Sequence, residues 1–481
     1  MLTAAPVATV RTWHARPVLL VAAATVLLHL VAAAGYGWHR DEMYFFVESW
    51  RLDWGFVSEP PLTPALAWLS QQLFGASLVG LRLWPALAGA AVAVLASLVA
   101  RELGGRRTAQ LVAAITTSTT TIALSLFHLF GPSAFDQVAW AGCLLVLVKL
   151  LGGADRRWWL AFGAIAGVGL LAKNTLVLLA IALVVAVLVT PRLRPWLRSP
   201  LPWVAGVLAV AVASPYLGWQ TVHGWPMLDI AASVSDETGG LAAAPMFLPM
   251  QVLTMNPLLA PLWIAGLWWL WRSRTYRPLA VIWLVLLVVL ALTGGRSYYL
   301  LPAYLPLFAA GGIVVERRHD RPVAAVAALA AAAAVVVPSA LPVLPLDVQR
   351  HLPFVEINPI LSDPPGWPSY VAQIAAARPG APVLTANYGE AAAMELAGVR
   401  AYSGHNAYGT WGPPPADTTE IVTVGLPEPV LARTFAQCTP VAVLSNPYGI
   451  ADEEAGNTVQ VCSGPRASWT ALWPTLVHAT N

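Results

Sequence analysis

The sequence predicts a polytopic α-helical membrane protein of about eleven transmembrane helices followed by a small extracytoplasmic α/β C-terminal domain. Three observations predict it. Of 481 residues, 58% are hydrophobic and 11% charged, against about 45–50% and about 25% in soluble globular chains. Uncharged stretches of roughly 20 residues, enough for a helix to cross the hydrocarbon core, recur from Pro17 to Leu344. Lysine and arginine gather in alternate connections between those stretches. A net charge of +3 with no basic stripe gives no ground for nucleic-acid binding. The 22 Trp and the many Leu, Val and Ala exclude disorder.

In chain order the apolar stretches are Pro17 to Tyr36, Leu78 to Ala100, Ala109 to Phe127, Ala134 to Leu151, Trp158 to Ala172 and Asn174 to Val189. Pro202 to Leu217, Phe247 to Trp271, Pro278 to Thr293, Tyr299 to Val315 and Val323 to Leu344 follow. Lys173 separates two stretches without a polar loop, so the fifth and sixth also read as one overlong helix. The first stretch is too long for a signal-peptide core and no small-residue cleavage site follows it, so it is expected to remain as a span.

One set of connections holds Arg11, Arg16, Arg101, Arg106, Arg107, Lys149, Arg156, Arg157, Arg192, Arg194, Arg198, Arg272, Arg274, Arg277, Arg317, Arg318 and Arg321. The other holds Arg40, Arg51, Arg82, Lys173 and Arg296. The positive-inside rule makes the first set cytoplasmic, with the amino terminus inside and the tail outside. Residues 1–345 form the membrane domain, with an extracytoplasmic first loop at 37–77, and residues 346–481 the soluble domain.

The first loop carries five of the 24 acidic residues. Asp41 to Trp50 and Leu62 to Phe74 have the apolar spacing of short surface helices. Pro60 and Pro61 divide them. In the tail, Val383 to Thr385, Glu420 to Val424 and Val441 to Leu444 read as strands, alternating with helical stretches such as Glu390 to Ala397. Cys438 and Cys462 fall in this domain, where a disulfide is permitted and two buried thiols are an equal alternative. No close metal-ligand spacing joins the cysteines.

Ionisable groups at a span cost roughly 2.5–3.5 kcal/mol at its centre, so each calls for a partner or a task. Asp41 and Glu42 stand together directly after the first span. Adjacent helical residues point about 100° apart, so the two are not expected to share a role. Either also suits the start of a helix, where its dipole favours an acid. Asp136 opens the fourth span, where capping is the alternative. Arg82, Lys173 and Arg296 lie at outer span ends, where snorkelling explains one isolated case but less readily three. A carboxylate base beside cations at the membrane surface suits chemistry on an anionic lipid headgroup. His223 in His223-Gly224-Trp225-Pro226 reads as a headgroup or sugar contact or as a turn residue at the interface. Tyr298 and Tyr299 read as substrate contacts or as part of an aromatic belt. His128 reads as a helix-end hydrogen-bonding residue and His29 as a buried, satisfied histidine. The tail loops Asn387 to Glu390 and Ser403 to Asn406 carry polar tips that turn chemistry alone also explains.

Several of these segments together resemble a known family. They are Arg40-Asp41-Glu42 with Tyr44, Glu59-Pro60-Pro61-Leu62, Leu81-Arg82, Phe135-Asp136-Gln137, Leu171-Ala172-Lys173-Asn174, His223-Gly224-Trp225-Pro226, and Gly295-Arg296-Ser297-Tyr298-Tyr299 through Tyr304. Their order from about Gly35 to Gly312 is similar to that of the bacterial dolichyl-phosphate-mannose protein mannosyltransferase family, glycosyltransferase family 39-type, and its relatives the aminoarabinose transferases. The tail's Asn387-Tyr388-Gly389-Glu390 and Gly404-His405-Asn406 through Trp411-Gly412 resemble a soluble domain found in an actinobacterial-type branch, with no role implied.

The resemblance implies the C-class glycosyltransferase fold. It further implies transfer of a sugar from a polyprenyl-phosphate donor to an extracytoplasmic hydroxyl, with inversion at the anomeric carbon. By motif, Asp41 matches the family's catalytic acid/base, and Asp136 its second acid near donor or acceptor; Glu42 is the remaining catalytic candidate. Arg82, Lys173 and Arg296 are candidates to bind the lipid phosphate, and Tyr44, His223, Tyr298 and Tyr299 to contact substrate. Two positions depart from the pattern: Arg296-Ser297 stands where many relatives have Lys-Pro, and Asn174 follows Lys173 where other residues are common. A divalent metal occurs in some C-class enzymes, and Asp41, Glu42 and Asp136 neither demand nor exclude it. The acceptor is a protein, a lipid or a glycan.

A secondary transporter or a partner-binding membrane protein are the competing classes. Transporters usually show internal repeats and ionisable or helix-breaking positions near the midplane, whereas here most acids and unpaired cations lie at outer span ends and the sequence shows no repeat. Arginine outnumbers lysine 25 to 2 and alanine abounds, as in a high-GC bacterium; the membrane is then the plasma membrane and the carrier decaprenyl or undecaprenyl phosphate.

Overall fold

The computed structural model describes residues 12–318 and 322–479; Arg11 and Arg321 of the expected cytoplasmic set lie outside them. Every predicted apolar stretch falls on helical structure. Among the described residues six helices are long and apolar enough to cross a membrane, or up to nine if each of three bent pairs is one span. The six are Ala15–Ala32, Leu78–Glu102, Pro132–Leu151, Pro200–Val222, Ser297–Arg318 and Val323–Ala340. Trp158–Leu170 and Arg277–Leu292 are apolar but short.

The bends arise from local backbone chemistry that hydropathy does not register. Arg107–Thr119 and Thr121–His128 meet at 66°. Thr120 between them is extended, and its side chain caps the second helix by accepting from the Ala123 N–H at 3.1 Å. Asn256, at φ 64°, caps Leu258 before Pro257 restarts the chain, and here the bend is 87°. Lys173 stands in a non-helical turn between Trp158–Leu170 and Leu176–Val189, so the fifth and sixth stretches are two helices. Small residues let neighbouring helices approach closely: Gly163 lies against the Ala205 backbone and Gly266 against Leu307, with no room at either for a Cβ. Around these contacts Trp140, Trp263, Trp283, Tyr304 and Phe308 fill the bundle interior.

In the first loop, Arg40–Glu48 begins with a capping box. His39 Nδ1 accepts from the Asp41 N–H at 3.1 Å, and Glu42 Oε2 accepts from the His39 N–H at 3.1 Å. Pro60 and Pro61 precede the second loop helix, Leu62–Phe74, which ends at Gly75 with φ 63°. The Leu62 N–H donates to Leu171 O at 2.9 Å, tying this helix to the turn that carries Lys173.

The C-terminal region holds a five-stranded sheet: β1 Val383–Thr385, β2 Ala401–Ser403, β3 Glu420–Val424, β4 Phe435–Val443 and β5 Thr458–Pro465, in the order β2-β1-β3-β5-β4. β1 pairs parallel with β2 and β3, and β5 pairs antiparallel with β3 and β4. β2 and β5 had no sequence expectation, and β4 begins well before Val441. The alternative of two free thiols is excluded: Cys438 and Cys462, paired in register across β4 and β5, form a disulfide. Cys143 is free and buried.

This region is packed onto the first loop. Met43, Tyr44, Phe45, Phe46 and Val47 share one apolar cluster with Trp367, Tyr370, Ala391, Met394 and Tyr408. Arg40, largely buried, pairs with Asp363 at 3.2 Å and with Glu453 and Glu454. Gly389 passes so close to the Arg40 side chain that a Cβ there would lie 2.9 Å from Arg40 Cβ.

Candidate active site

Where the first loop, the helix starting at Pro132, the Lys173 turn, the segment 293–299 and the C-terminal region converge, they enclose a cavity of about 770 Å³. Asp41, Tyr44, Lys173, Arg296, Tyr298 and Tyr299 all line it. The structure therefore brings six of the sequence candidates together.

Asp41 sits in the first turn of its helix, with a side chain 34% exposed. The Tyr388 phenol donates to its Oδ1 at 2.8 Å. Its Oδ2 is 3.9 Å from His39 Nδ1. That nitrogen already accepts the Asp41 N–H, which puts the imidazole proton on Nε2. Burial, then the Asp41 charge, push the Tyr388 phenol well above its usual pKa of 10.0. Tyr388 is therefore a neutral donor and Asp41 the acceptor, with Oδ2 left for an incoming proton.

The 100° separation of adjacent helical residues has its expected result for Glu42. Its carboxylate points away from the cavity, fully buried, and accepts from Arg82 Nε at 2.8 Å, Arg82 Nη2 at 2.7 Å and the Phe130 N–H at 3.1 Å. Arg82 also donates to Ala33 O and Gly37 O at 2.8 and 2.9 Å. Glu42 and Arg82 thus form a satisfied ion pair that joins two spans to the first loop, and neither lines the cavity. His223 is exposed, its ring stacked 4.0 Å from that of Trp219, and it does not line the cavity either. Asp136 is buried behind the lining, held by Thr175 Oγ1 at 2.7 Å, and Trp140 Nε1 donates to the same hydroxyl at 2.9 Å. The cap position of its helix belongs to Gly131. His29 is buried with neither ring nitrogen hydrogen-bonded, contrary to the expectation of a satisfied histidine, and its ring lies 6.2 Å from that of His128.

Two cations remain at the cavity. Lys173 Nζ donates to Ser133 Oγ at 2.8 Å and lies 5.2 and 4.8 Å from the ring centroids of Tyr298 and Tyr299. Arg296 pairs with Glu237 at 2.9 Å, both about half exposed. Both cations keep donors for a ligand.

The sequence reading missed several lining residues. Glu59 was visible only as part of a motif. It lines the cavity, accepts from Ser58 Oγ at 2.5 Å, and is buried near Glu48. Burial, then the charge of Glu59, hold the Glu48 carboxyl well above its ordinary 4.5, and burial raises Glu59 as well. Tyr388, Asn406 and Asn358 come from the C-terminal region; the polar tail loops were the only signal for the first two. A separate apolar groove of about 340 Å³ runs between Trp158–Leu170, Leu176–Val189 and Pro200–Val222, and it shares Val177 with the cavity. Among the described residues no group of three or more His, Cys, Asp or Glu side chains is placed to hold a metal ion. The side chains present therefore do not make a metal site of that kind, and the steps below use the chain's own groups.

This architecture, a bundle of apolar helices with a polar cavity beside a small sheet, is shared with solved structures. It is the fold of ArnT from Cupriavidus metallidurans. In the form bound to undecaprenyl phosphate, 17% identical over 92% of this chain and 97% of that one, the TM-score is 0.60. In the apo form, 16% identical with the same coverage, it is 0.63. The mycobacterial arabinofuranosyltransferase AftD matches 93% of this chain at 16% identity and TM-score 0.51, this chain spanning 41% of that one. In sequence, the family described as dolichyl-phosphate-mannose-protein mannosyltransferase matches residues 58–219. No curated protein matches the chain.

Proposed function

We propose that this protein is a membrane glycosyltransferase that moves a sugar from a polyprenyl-phosphate donor to a hydroxyl acceptor on the extracytoplasmic face, with inversion. The observation that carries the reading is one cavity lined by a carboxylate, Asp41, and two cations, Lys173 and Arg296, with a separate apolar groove beside it that has Val177 in common with its lining. ArnT, which shares the fold, is described bound to undecaprenyl phosphate. The groove is chemically matched to an isoprenoid chain and the cations to its phosphate.

In this reading the acceptor oxygen attacks the anomeric carbon as its proton passes to Asp41 Oδ2. The bond from that carbon to the phosphate oxygen breaks, and its electron pair leaves on the phosphate. Lys173 and Arg296 stabilise the growing phosphate charge, so they favour the transition state over the bound donor. Positioned proton transfer of this kind typically contributes about 10²–10⁴-fold. Asp136, behind the lining, fixes Thr175 and through it the turn that carries Lys173. Arg82 and Glu42 hold the first loop in place.

The test is transfer from radiolabelled undecaprenyl-phosphoryl mannose, undecaprenyl-phosphoryl glucose and decaprenyl-phosphoryl arabinose by the purified chain in lipid, against Asp41→Asn. Turnover that is lost in the variant supports the proposal and names the donor. A native chain that neither binds nor turns over any of them, behaving like the variant, overturns it and favours transport or partner binding.

A further inference from the structure

Asn406 carries two costs at one position. Its φ of 52° with ψ of −136° is a backbone conformation that suits glycine rather than a side-chain-bearing residue. Its side-chain Oδ1 is buried without a hydrogen-bond partner, in a residue only 7% exposed. The backbone around it is fully engaged. Its N–H donates to His478 O at 3.0 Å, its carbonyl accepts from Gly409 at 3.1 Å, and the next residue's N–H donates to the Tyr44 hydroxyl at 3.2 Å. The main chain is pinned in a strained shape, and Asn406 lines the cavity that holds Asp41, Lys173 and Arg296.

An unsatisfied amide oxygen needs a donor. A lipid phosphodiester is ionised near neutrality and has no proton to offer, and an isoprenoid chain has no polar hydrogen. Of the chemistry that the transferase reading brings to this cavity, hydroxyls donate; the acceptor's reacting hydroxyl gives its proton to Asp41, which leaves the sugar hydroxyls for the amide, and each also accepts from an amide N–H₂. A neutral amide distinguishes hydroxyl patterns without competing for the phosphate that the two cations hold.

We propose that Asn406, supplied by the C-terminal domain, is a sugar-recognition residue whose side-chain amide binds a hydroxyl of a sugar seated in the Asp41 cavity. The proposal rests on the transferase reading. The hydroxyl belongs either to the transferred sugar or to a glycan acceptor, and both present the same chemistry to the amide.

The test uses Asn406→Gly in the full chain in lipid. Glycine removes the amide and relieves the positive φ, so the thermal midpoint stays the same or rises and the fold is not the variable. Three probes are compared: undecaprenyl phosphate, the undecaprenyl- or decaprenyl-phosphoryl sugar that the native chain turns over, and the acceptor. Affinity for undecaprenyl phosphate should be unchanged. A loss of about tenfold in affinity for the sugar-bearing donor assigns the hydroxyl to the transferred sugar. A similar rise in KM for the acceptor, with donor binding unchanged, assigns it to the acceptor. Native values for both sugar-bearing ligands overturn the proposal while leaving the transferase reading intact, provided Asp41→Asn is inactive in the same assay. An Asp41→Asn variant that transfers like the native chain overturns the assignment of the base and leaves the Asn406 result to stand on binding. A native chain that binds no sugar-bearing lipid overturns both.

Discussion

The phenol of Tyr388 donates a 2.8 Å hydrogen bond to Asp41 Oδ1, although 347 positions separate the two in sequence. The C-terminal region therefore takes part in the cavity's chemistry: it selects which oxygen of the proposed base stays available. A hydrogen bond to a charged group contributes about 1.5–3 kcal/mol, and orientation adds to its effect.

Tyr388→Phe removes one oxygen and little volume. We expect kcat to fall by about 10–100-fold with donor KM nearly unchanged. Steady-state kinetics checks this, and a native kcat would show that Tyr388 serves packing alone.

Lys173 and Arg296 should differ in degree. Lys173 is partly buried and held by Ser133, whereas Arg296 is half exposed and shares its charge with Glu237. Lys173→Ala should lower kcat by about 10²–10³-fold and weaken undecaprenyl phosphate binding, with a smaller loss for Arg296→Ala. Calorimetric binding of undecaprenyl phosphate to both variants separates the two; equal native affinities would remove the phosphate assignment.

Arg82 should behave as a structural residue, although its sequence position suggested a phosphate ligand. Arg82→Met alone leaves Glu42 buried and unpaired, which costs about 3–5 kcal/mol. The double variant Glu42→Gln with Arg82→Met should recover part of the lost thermal stability and bind undecaprenyl phosphate as the native chain does. Loss of that binding in a double variant that is still folded would restore Arg82 to the site.

The buried acid Glu48 makes stability depend on pH. Its folded pKa is raised by burial and then by Glu59, so the folded state holds a proton that the unfolded chain releases above about 4.5. Stability from this group is complete below that value and is lost as pH rises through the folded pKa. Glu48→Gln cannot ionise, so its melting temperature should fall less than the native one between about pH 5 and about pH 8. Parallel slopes in a thermal-shift series would refute this.

Much of the bundle was legible because hydrophobicity is a property of local sequence. Every apolar run marks helical structure, and Pro60-Pro61 divides the loop helices as expected. The kinks at Thr120 and Asn256 were not legible, since a capping side chain has the same weight in a hydropathy window whether or not it turns the chain. Short strands such as Ala401–Ser403 carry too few residues for a period to register. At the site, the opposed directions of Asp41 and Glu42 followed from helix geometry alone. That Arg82 would turn inward to Glu42 while Lys173 faced the cavity did not, because both are cations at span ends and only tertiary packing separates them. Tyr388 and Asn406 were visible merely as polar loop tips, their task being fixed by contacts with residues about 350 positions away.

The clasp of Arg40 with Asp363, Glu453 and Glu454 also sets a timetable for biosynthesis. Arg40 and Glu454 are 414 positions apart, and a ribosome adding about 5–20 residues per second needs roughly 20–80 s to pass from one to the other. Through that interval the first loop waits with a buried-type cation unmatched and a carboxylate, Asp41, without its tyrosine. A chain truncated or stalled before Asp363 would thus carry the proposed base and its cations in an unfinished cavity. In the transferase reading, the cavity around Asp41 is complete only once the last domain has been made.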